Sequence, residues 1–494
     1  MGKTLARLAD RRGRKDEALQ NLIAQGALIV WPLVALVLFM SMSAGRATVW
    51  TLLAGYLLLP ERVAFDFPGV PALDKSTIPN LTALVLGFAT ARPGEFRWPR
   101  SKTLNLLMAA FVLTAFASAF TNGAPVVIGS TTLPGLGFRE GLANAVGHVL
   151  MITPFLLGAA LLGNEKGHRH ILMALVIGAL AYAAPMLLEI RLSPFFQVWV
   201  YGITDVEFFL QQIRFGGFRS MMFLGHGLLV SAFCAMALLA AIGLARMRVK
   251  LFGVPMSLVA AFLAALLLLN KSVGAVVLVV LLAPMLLFLR PRFYIVLMAG
   301  LAMVVVAYPA VRGMSLMPFQ EVVQAIETIS PQRAHSLDTR LRNEEMLLAR
   351  ASEKPLFGWG SHGRNRVIVV TSWGATMDIS ITDGTWIIVI GTVGWVGYVL
   401  YFGLLSYPFW HALRLRKAVL PMASLTLLAV HMFNVLDLIP NSSVRPLTWL
   451  IAGALANMAF ARLRAPGRSA VARRPGSAVP RSLPAVPRVE SIRS

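Results

Sequence analysis

Arg214 and Arg219 bracket the run Arg214-Phe215-Gly216-Gly217-Phe218-Arg219, just before an apolar segment that starts near Met221. Glycines beside an arginine allow close approach of the backbone to a ligand. Lys271 stands between Asn270 and Ser272, at the tip of a tight hairpin of two apolar segments. A polar stretch from Arg312 to Asp383 holds Arg333, Arg340, Arg342, Arg350, Arg364 and Arg366, with His335 and His362. Asp383 closes that stretch and opens the next apolar segment. Guanidinium groups offer a planar fork of donors that suits an anion such as a diphosphate, and an ammonium adds a point charge. A carboxylate or imidazole beside them would accept a proton. Simpler alternatives exist for each. The loop arginines could be solvated charges pairing with Glu344, Glu345 and Glu353, and Lys271 could snorkel at its hairpin tip.

These residues must be positioned by something, and the composition says what. Hydrophobic residues make up 57% of the 494-residue chain and charged residues only 14%. Soluble domains carry about 25% charged residues, so a soluble fold of this size is excluded. Apolar runs of spanning length cover roughly 27–44, 47–65, 103–121, 144–163, 171–189, 221–245, 251–270, 272–289, 293–311, 384–410, 418–438 and 446–461. Each can cross a hydrocarbon core about 30 Å thick at about 1.5 Å per residue. Twelve crossings follow. A shorter run at 78–91 is marginal and reads as re-entrant or interfacial. The first run is too long for the core of a cleavable signal and another follows at once.

Net charge is +23. In a soluble protein that excess suggests nucleic acid; in a membrane protein it reports orientation. With the N-terminus inside and 78–91 not crossing, the cytoplasmic segments are 1–26, 61–102, 164–170, 246–250, 290–292, 411–417 and 462–494. They hold 30 basic and 9 acidic residues, and the remainder 15 and 13. The net is +21 inside and +2 elsewhere, so no nucleic-acid partner is needed. The expected organisation is a basic cytoplasmic N-terminus (1–26), nine spans (27–311), a large outward loop (312–383), three spans (384–461) and a disordered basic cytoplasmic tail (462–494).

Within the large loop, Asp338 or Ser336 is expected to cap a helix running to about Ser352, with Leu337, Leu341, Met346 and Leu348 on its apolar face and Arg340 paired with Glu344. Pro355 stops it and Gly358-Trp359-Gly360 makes a turn. The loop is expected to pack on the membrane domain as a cap. Arg214, Arg219, Lys271 and Asp383 are expected to converge on one outward cavity at membrane level, where buried charge is costly without purpose. His226 reads as a hydrogen-bonded core histidine, and His168 and His170 as solvated residues at a cytoplasmic turn. No histidine pair has metal-ligand spacing beside a carboxylate, and Cys234 is the only cysteine, so no metal and no cofactor are expected.

Four segments together resemble the bacterial O-antigen ligase and O-antigen polymerase superfamily. Arg214-Phe-Gly-Gly-Phe before Gly225-His226 resembles its Arg-x-x-Gly-Phe element. Ser272-Val-Gly-Ala275 resembles its Ser-Arg-Gly-Ala turn. Arg342-Asn-Glu-Glu-Met346, then Pro355-Leu-Phe-Gly-Trp-Gly360, is similar to its Arg-x-x-x-Trp and Pro-Leu-x-Gly-x-Gly run. Asp383-Gly-Thr-Trp386, then Gly394-Trp-Val-Gly397, is similar to its His-Asn-x-Tyr and Gly-x-x-Gly segment.

The resemblance implies an all-α membrane glycosyltransferase of GT-C-like build, working without metal on the outer side of a bacterial plasma membrane with both termini cytoplasmic. Its donor would be a glycan on undecaprenyl diphosphate. Arg214 would bind the diphosphate, with Arg219, Lys271 and Arg342 as secondary contacts. Asp383 would be the base or orient one, with His362 as the second choice. Membrane lipid and other polysaccharide assembly or export proteins are the implied partners. Two positions depart from the pattern. Asp383 stands where the ligases have histidine, and Val273 where they have the hairpin arginine, with Lys271 two residues earlier. An Asp has an unperturbed pKa near 4 and needs desolvation to serve as a base. The departures favour a polysaccharide polymerase over a ligase. A lipid-linked glycan flippase is the reading from another class, and a noncatalytic assembly subunit a third.

Overall fold

The computed structural model describes residues 2–67, 71–203, 209–214, 216–314, 319–328 and 331–458, with side chains from Leu22 onward except at 319, 320, 322, 332, 333 and 336. Phe215, the Arg333 side chain and the tail 462–494 lie outside the described residues. The molecule is mostly helical, at 69%. Each expected run coincides with a helix: α1 (Gly2–Ser41), α2 (Ala44–Leu58), α3 (Thr77–Thr90), α4 (Lys102–Phe120), α5 (Phe138–Leu161), α6 (Glu165–Arg191), the short α7 (Phe196–Tyr201), α8 (Gly227–Arg246), α9 (Met256–Leu269), α10 (Val273–Phe288) and α11 (Pro291–Gly313). Then come α12 (Phe319–Glu327) and α13 (Pro331–Ser352) of the large loop, and α14 (Thr385–Arg414), α15 (Met422–Asp437) and α16 (Pro446–Ala456).

Seven of these are long and apolar enough to cross a membrane: the Leu22–Ser41 part of α1, and α4, α5, α6, α8, α11 and α14. Helices α3, α9, α10, α15 and α16 are apolar but shorter. Rows of large side chains lie open on the outside, among them Val37 and Met40 of α1, Val277 and Val280 of α10, and Phe293 and Val304 of α11. An apolar belt of that extent has no place in water. The core of the bundle is α8 and α15, buried on nearly every side. The chain is a membrane-embedded, all-α protein.

Contacts at the two ends correct the parity drawn from charge. One end gathers Ser43, Arg46, Arg97, Leu162, Lys166 and Asn457 around one pocket. At the other end, Lys75 donates from Nζ to the Phe223 carbonyl (2.7 Å). Residues 59–76 thus share the end that carries Arg219 and Lys271. Helix α3, read as not crossing, joins the two ends. The apolar stretch of α1 begins at that same end, where Leu28 and Trp31 pack with Leu59, Val63, Phe65 and Ile78. Residues 61–76 and the start of the first span therefore lie at the opposite end from Arg97, whereas the charge count grouped 1–26 and 61–102 on one side. Charge missed this because residues 61–76 hold two basic and three acidic residues; moving them takes no net positive charge away. Arg97 stays with Arg46 and Lys166.

The large loop departs from its expected form in detail. Helix α13 starts at Pro331, a residue pre-set for a first helical turn, so positions 336 and 338 lie inside it rather than at its start. Its apolar face packs on α12 through Leu341, Ala334 and Val323, and Leu347 rather than Leu348 is buried. Two hairpins, β1–β2 (Val126–Ile128, Thr131–Leu133) and β3–β4 (Ile368–Val370, Thr376–Asp378), meet through a Thr131–Thr376 hydroxyl bond of 2.6 Å. His168 is fully buried, bonded to Ser424 Oγ (2.8 Å) and the Ala454 carbonyl (3.1 Å), not solvated as expected.

Candidate functional site

Ile213–Arg214 pairs with Gly217–Phe218 in a two-residue hairpin, and Gly216 sits at φ +67°, a conformation glycine adopts freely. Two buried side chains hold this loop. Glu189, wholly buried, accepts from Phe195 N (3.2 Å) and Phe196 N (3.0 Å) with one oxygen. Its other oxygen accepts from Ser220 Oγ (2.7 Å), Met221 N (2.9 Å) and Met222 N (2.8 Å). Five donors compensate a carboxylate that would otherwise be too costly to bury. Asn270 accepts from Ser220 N (2.9 Å) and donates to Ser231 Oγ (2.7 Å), tying the loop to the α9–α10 hairpin and to α8.

That frame brings three cations together. Lys271, at φ +56°, reaches across Gly217 and donates to the Arg214 carbonyl (3.1 Å). A β-carbon on Gly217 would collide with the Lys271 Nζ. Arg219 is buried and donates to the Lys271 carbonyl (3.1 Å). Burial, then the charge of Arg214, pull its pKa down to about 10. His226 is not a core histidine. It caps α8, its Nδ1 accepting from Leu228 N (3.1 Å), while Nε2 lies 3.2 Å from Gln211 Oε1. Burial and the charges of Arg219, Arg214 and Arg340 lower its pKa to about 4, so it is neutral at physiological pH. Like charges held this close repel, and an anion placed among them relieves that cost.

Arg340 links this cluster to Asp383. The two side chains pair at 3.2 Å, at 42% and 39% exposure. Asp383 therefore meets a guanidinium but lacks the desolvation expected of it. The expected Arg340–Glu344 pair does not form, because each residue has a partner outside α13: Asp383, just before α14, for Arg340, and residues of α11 for Glu344. Asn343 Oδ1 accepts from Ile381 N (3.2 Å). Glu344 accepts from the Tyr308 hydroxyl (3.3 Å) and faces Arg312 Nε at 3.6 Å. Burial raises the Glu344 pKa even against the opposing Arg312 charge. Arg342 is 75% exposed and pairs with Asp338 (2.8 Å), away from the cluster.

The two glycine motifs of the resemblance meet each other. Helix α14 breaks at Gly394, at φ +68° and ψ −172°. Residues 355–360 fill the break: Trp359 N bonds the Gly391 carbonyl (2.8 Å), Gly360 N the Thr392 carbonyl (2.9 Å), and Trp395 N the Pro355 carbonyl (2.8 Å). Carbonyls and amides freed by the kink are thereby satisfied, as an apolar setting requires. Neither Gly358 nor Gly394 has room for a side chain against the other strand. The loop cap is thus anchored inside the membrane domain, which fixes α13 over the cationic cluster.

His362 lies elsewhere, with Arg139, Glu140, Asn144 and His148 around a separate cavity. Among the described residues no three His, Cys, Asp or Glu side chains gather as a metal site. Glu189, His226 and Arg340 are the site residues that sequence reasoning missed. Glu189 carried one visible signal, a carboxylate at the end of an apolar run. Neither the family models nor the curated proteins searched contain a match to this chain.

Proposed function

We propose that this protein is a metal-independent glycosyltransferase of GT-C-like build that polymerises undecaprenyl-diphosphate-linked oligosaccharide repeat units on the outer side of a bacterial plasma membrane, with the twelve longer runs and α3 as its crossings. One observation carries the reading: Arg214, Arg219 and Lys271 converge at one end of the bundle with no carboxylate paired to them in the described contacts, while Asp383 is held by Arg340. A diphosphate supplies the missing negative charge. Its arrival draws Arg340 toward the phosphates and releases Asp383. The acceptor hydroxyl then attacks the anomeric carbon, the carbon–oxygen bond to the diphosphate breaks, the electron pair leaves with the lipid diphosphate, and the proton passes to Asp383. Arg340 is a positioning residue in this scheme, and Arg342 and His362 have no part in the step.

The test is polymer formation from lipid-linked repeat units by purified protein in lipid nanodiscs. Arg214→Ala and Asp383→Ala are expected to abolish product while both variants insert and elute normally. Full-length polymer from both variants sinks the assignment. Transbilayer movement of the lipid-linked glycan without new glycosidic bonds would make the protein a flippase instead.

A further inference from the structure

A second recess at the outer end is separate from the cationic cluster. One part of it, about 300 Å³, lies between α3, α5 and α16 and is lined by Asn80, Tyr401, Arg445 and Trp449. The other, about 520 Å³, is the cavity of Asn144, His148, Ser361 and His362. Pro71, Gly147 and Met151 line both, so the two parts form one continuous groove. Its volume falls within the range of small-molecule sites, roughly 300–1,000 Å³.

Three polar atoms at the first part have no partner among the described residues: Asn80 Oδ1, Arg445 Nε and Trp449 Nε1. Such atoms cost about 1–3 kcal/mol each, and these three are sealed within the groove's wall, whose lining is formed by other atoms of the same residues. Arg445 is nonetheless positioned, its guanidinium bonded to the Tyr56 hydroxyl. The floor is aromatic, with Trp449 and Tyr401 edge to face at 5.0 Å. The far end adds the Asn144 amide, bonded to Ser361 Oγ at 3.3 Å, and the His148 ring stacked on Phe111. Arg139 closes it, beside Glu140, whose carboxylate is engaged with Gly137 N (2.8 Å). Alternating amide, hydroxyl and imidazole groups over an aromatic floor suit a chain of hydroxylated rings, and the arginine at each end suits an acidic one.

We propose that this groove binds the acceptor glycan, an acidic oligosaccharide, beside the diphosphate cluster. The inference rests on the glycan-transfer reading and deepens it. Gly147 supplies the test, since a β-carbon there meets nothing within 4 Å. Gly147→Phe adds a ring at a groove-lining position where the β-carbon meets nothing, in a helix where phenylalanine is a better helix former than glycine. Binding of trigalacturonate and of inorganic pyrophosphate to the purified full-length protein is measured by calorimetry, with maltotriose as the neutral control. Trigalacturonate is expected to bind more tightly than maltotriose. Gly147→Phe and Arg445→Ala should each weaken it at least tenfold, Arg445→Lys should restore part of it, and pyrophosphate should bind all three variants as it does the parent. Arg214→Ala should show the reverse pattern. Trigalacturonate that fails to bind the parent, or that binds Gly147→Phe equally well, overturns the proposal. Gly147-dependent saccharide binding in a protein that makes no polymer would overturn the transferase reading and leave the groove standing.

Discussion

Two sets of charges sit at the same end of the bundle, and they are balanced in opposite ways. Glu61, Lys75 and Asp437 are each answered by a partner. Lys75, 7% exposed, pairs with Glu61 at 2.9 Å, and Asp437 accepts from Asn441 (2.8 Å) and Ser443 (2.6 Å). Burial lowers the Lys75 pKa, and the Glu61 charge opposes that shift. A few residues away, Arg214, Arg219 and Lys271 hold one another by side-chain-to-carbonyl bonds and no anion joins them. The first set connects α2, α3 and the segment before α8; the second leaves a surplus of positive charge among the described contacts. Compensated charge at membrane depth is structure, and uncompensated charge is a site waiting for its counter-ion.

Breaking the balanced set should cost the most stability. Lys75→Met leaves Glu61 at 26% exposure without its partner, and a broken buried pair costs about 3–5 kcal/mol. With Glu61 part-solvated, we expect about 2–3 kcal/mol, read as a fall in Tm in detergent. Adding Glu61→Gln should recover most of it. A Tm unchanged by Lys75→Met would mean the pair is not structural. The unbalanced set should behave in the opposite sense. Arg214→Ala should leave Tm unchanged or slightly higher, because it removes repulsion on Arg219, while pyrophosphate affinity falls at least tenfold, or about 1.4 kcal/mol. A destabilised Arg214→Ala protein that still binds pyrophosphate would erase the distinction.

Much of this arrangement was legible in the sequence, and the limits have physical causes. Apolar length located the helices because backbone in lipid must satisfy itself locally. Arg214, Arg219 and Lys271 were legible because glycines and a hairpin tip marked places where a charge stands at membrane level. Helix spacing misassigned Arg340: a pair four residues apart gains only about 0.2–0.5 kcal/mol, too little to outweigh Asp383 for Arg340 and the α11 residues for Glu344. The crossing of α3 stayed hidden because the loop it carries outward is nearly neutral. Its partner, the Phe223 carbonyl, lies far along the chain. His362 looked like a base by type alone, and only the tertiary path of residues 355–364 separates it from Asp383.

Glu344 offers the smallest and most discriminating test, because it is a buried acid next to the unbalanced set yet partnered like the balanced one. Its pKa is raised by burial, so the folded state holds its proton more tightly than the unfolded chain does. The stability this contributes is complete below the free glutamate value and is lost as pH rises through the raised one. Glu344→Gln removes that loss but leaves Arg312 without its carboxylate, so the two effects nearly cancel at neutral pH, within about 1 kcal/mol. The slope does not cancel. The Tm of Glu344→Gln minus that of the parent should grow as pH is raised from 4 to 7. A difference that stays flat or shrinks would show Glu344 to be an ordinary ion-paired glutamate, bound to Arg312 as firmly as Glu61 is to Lys75.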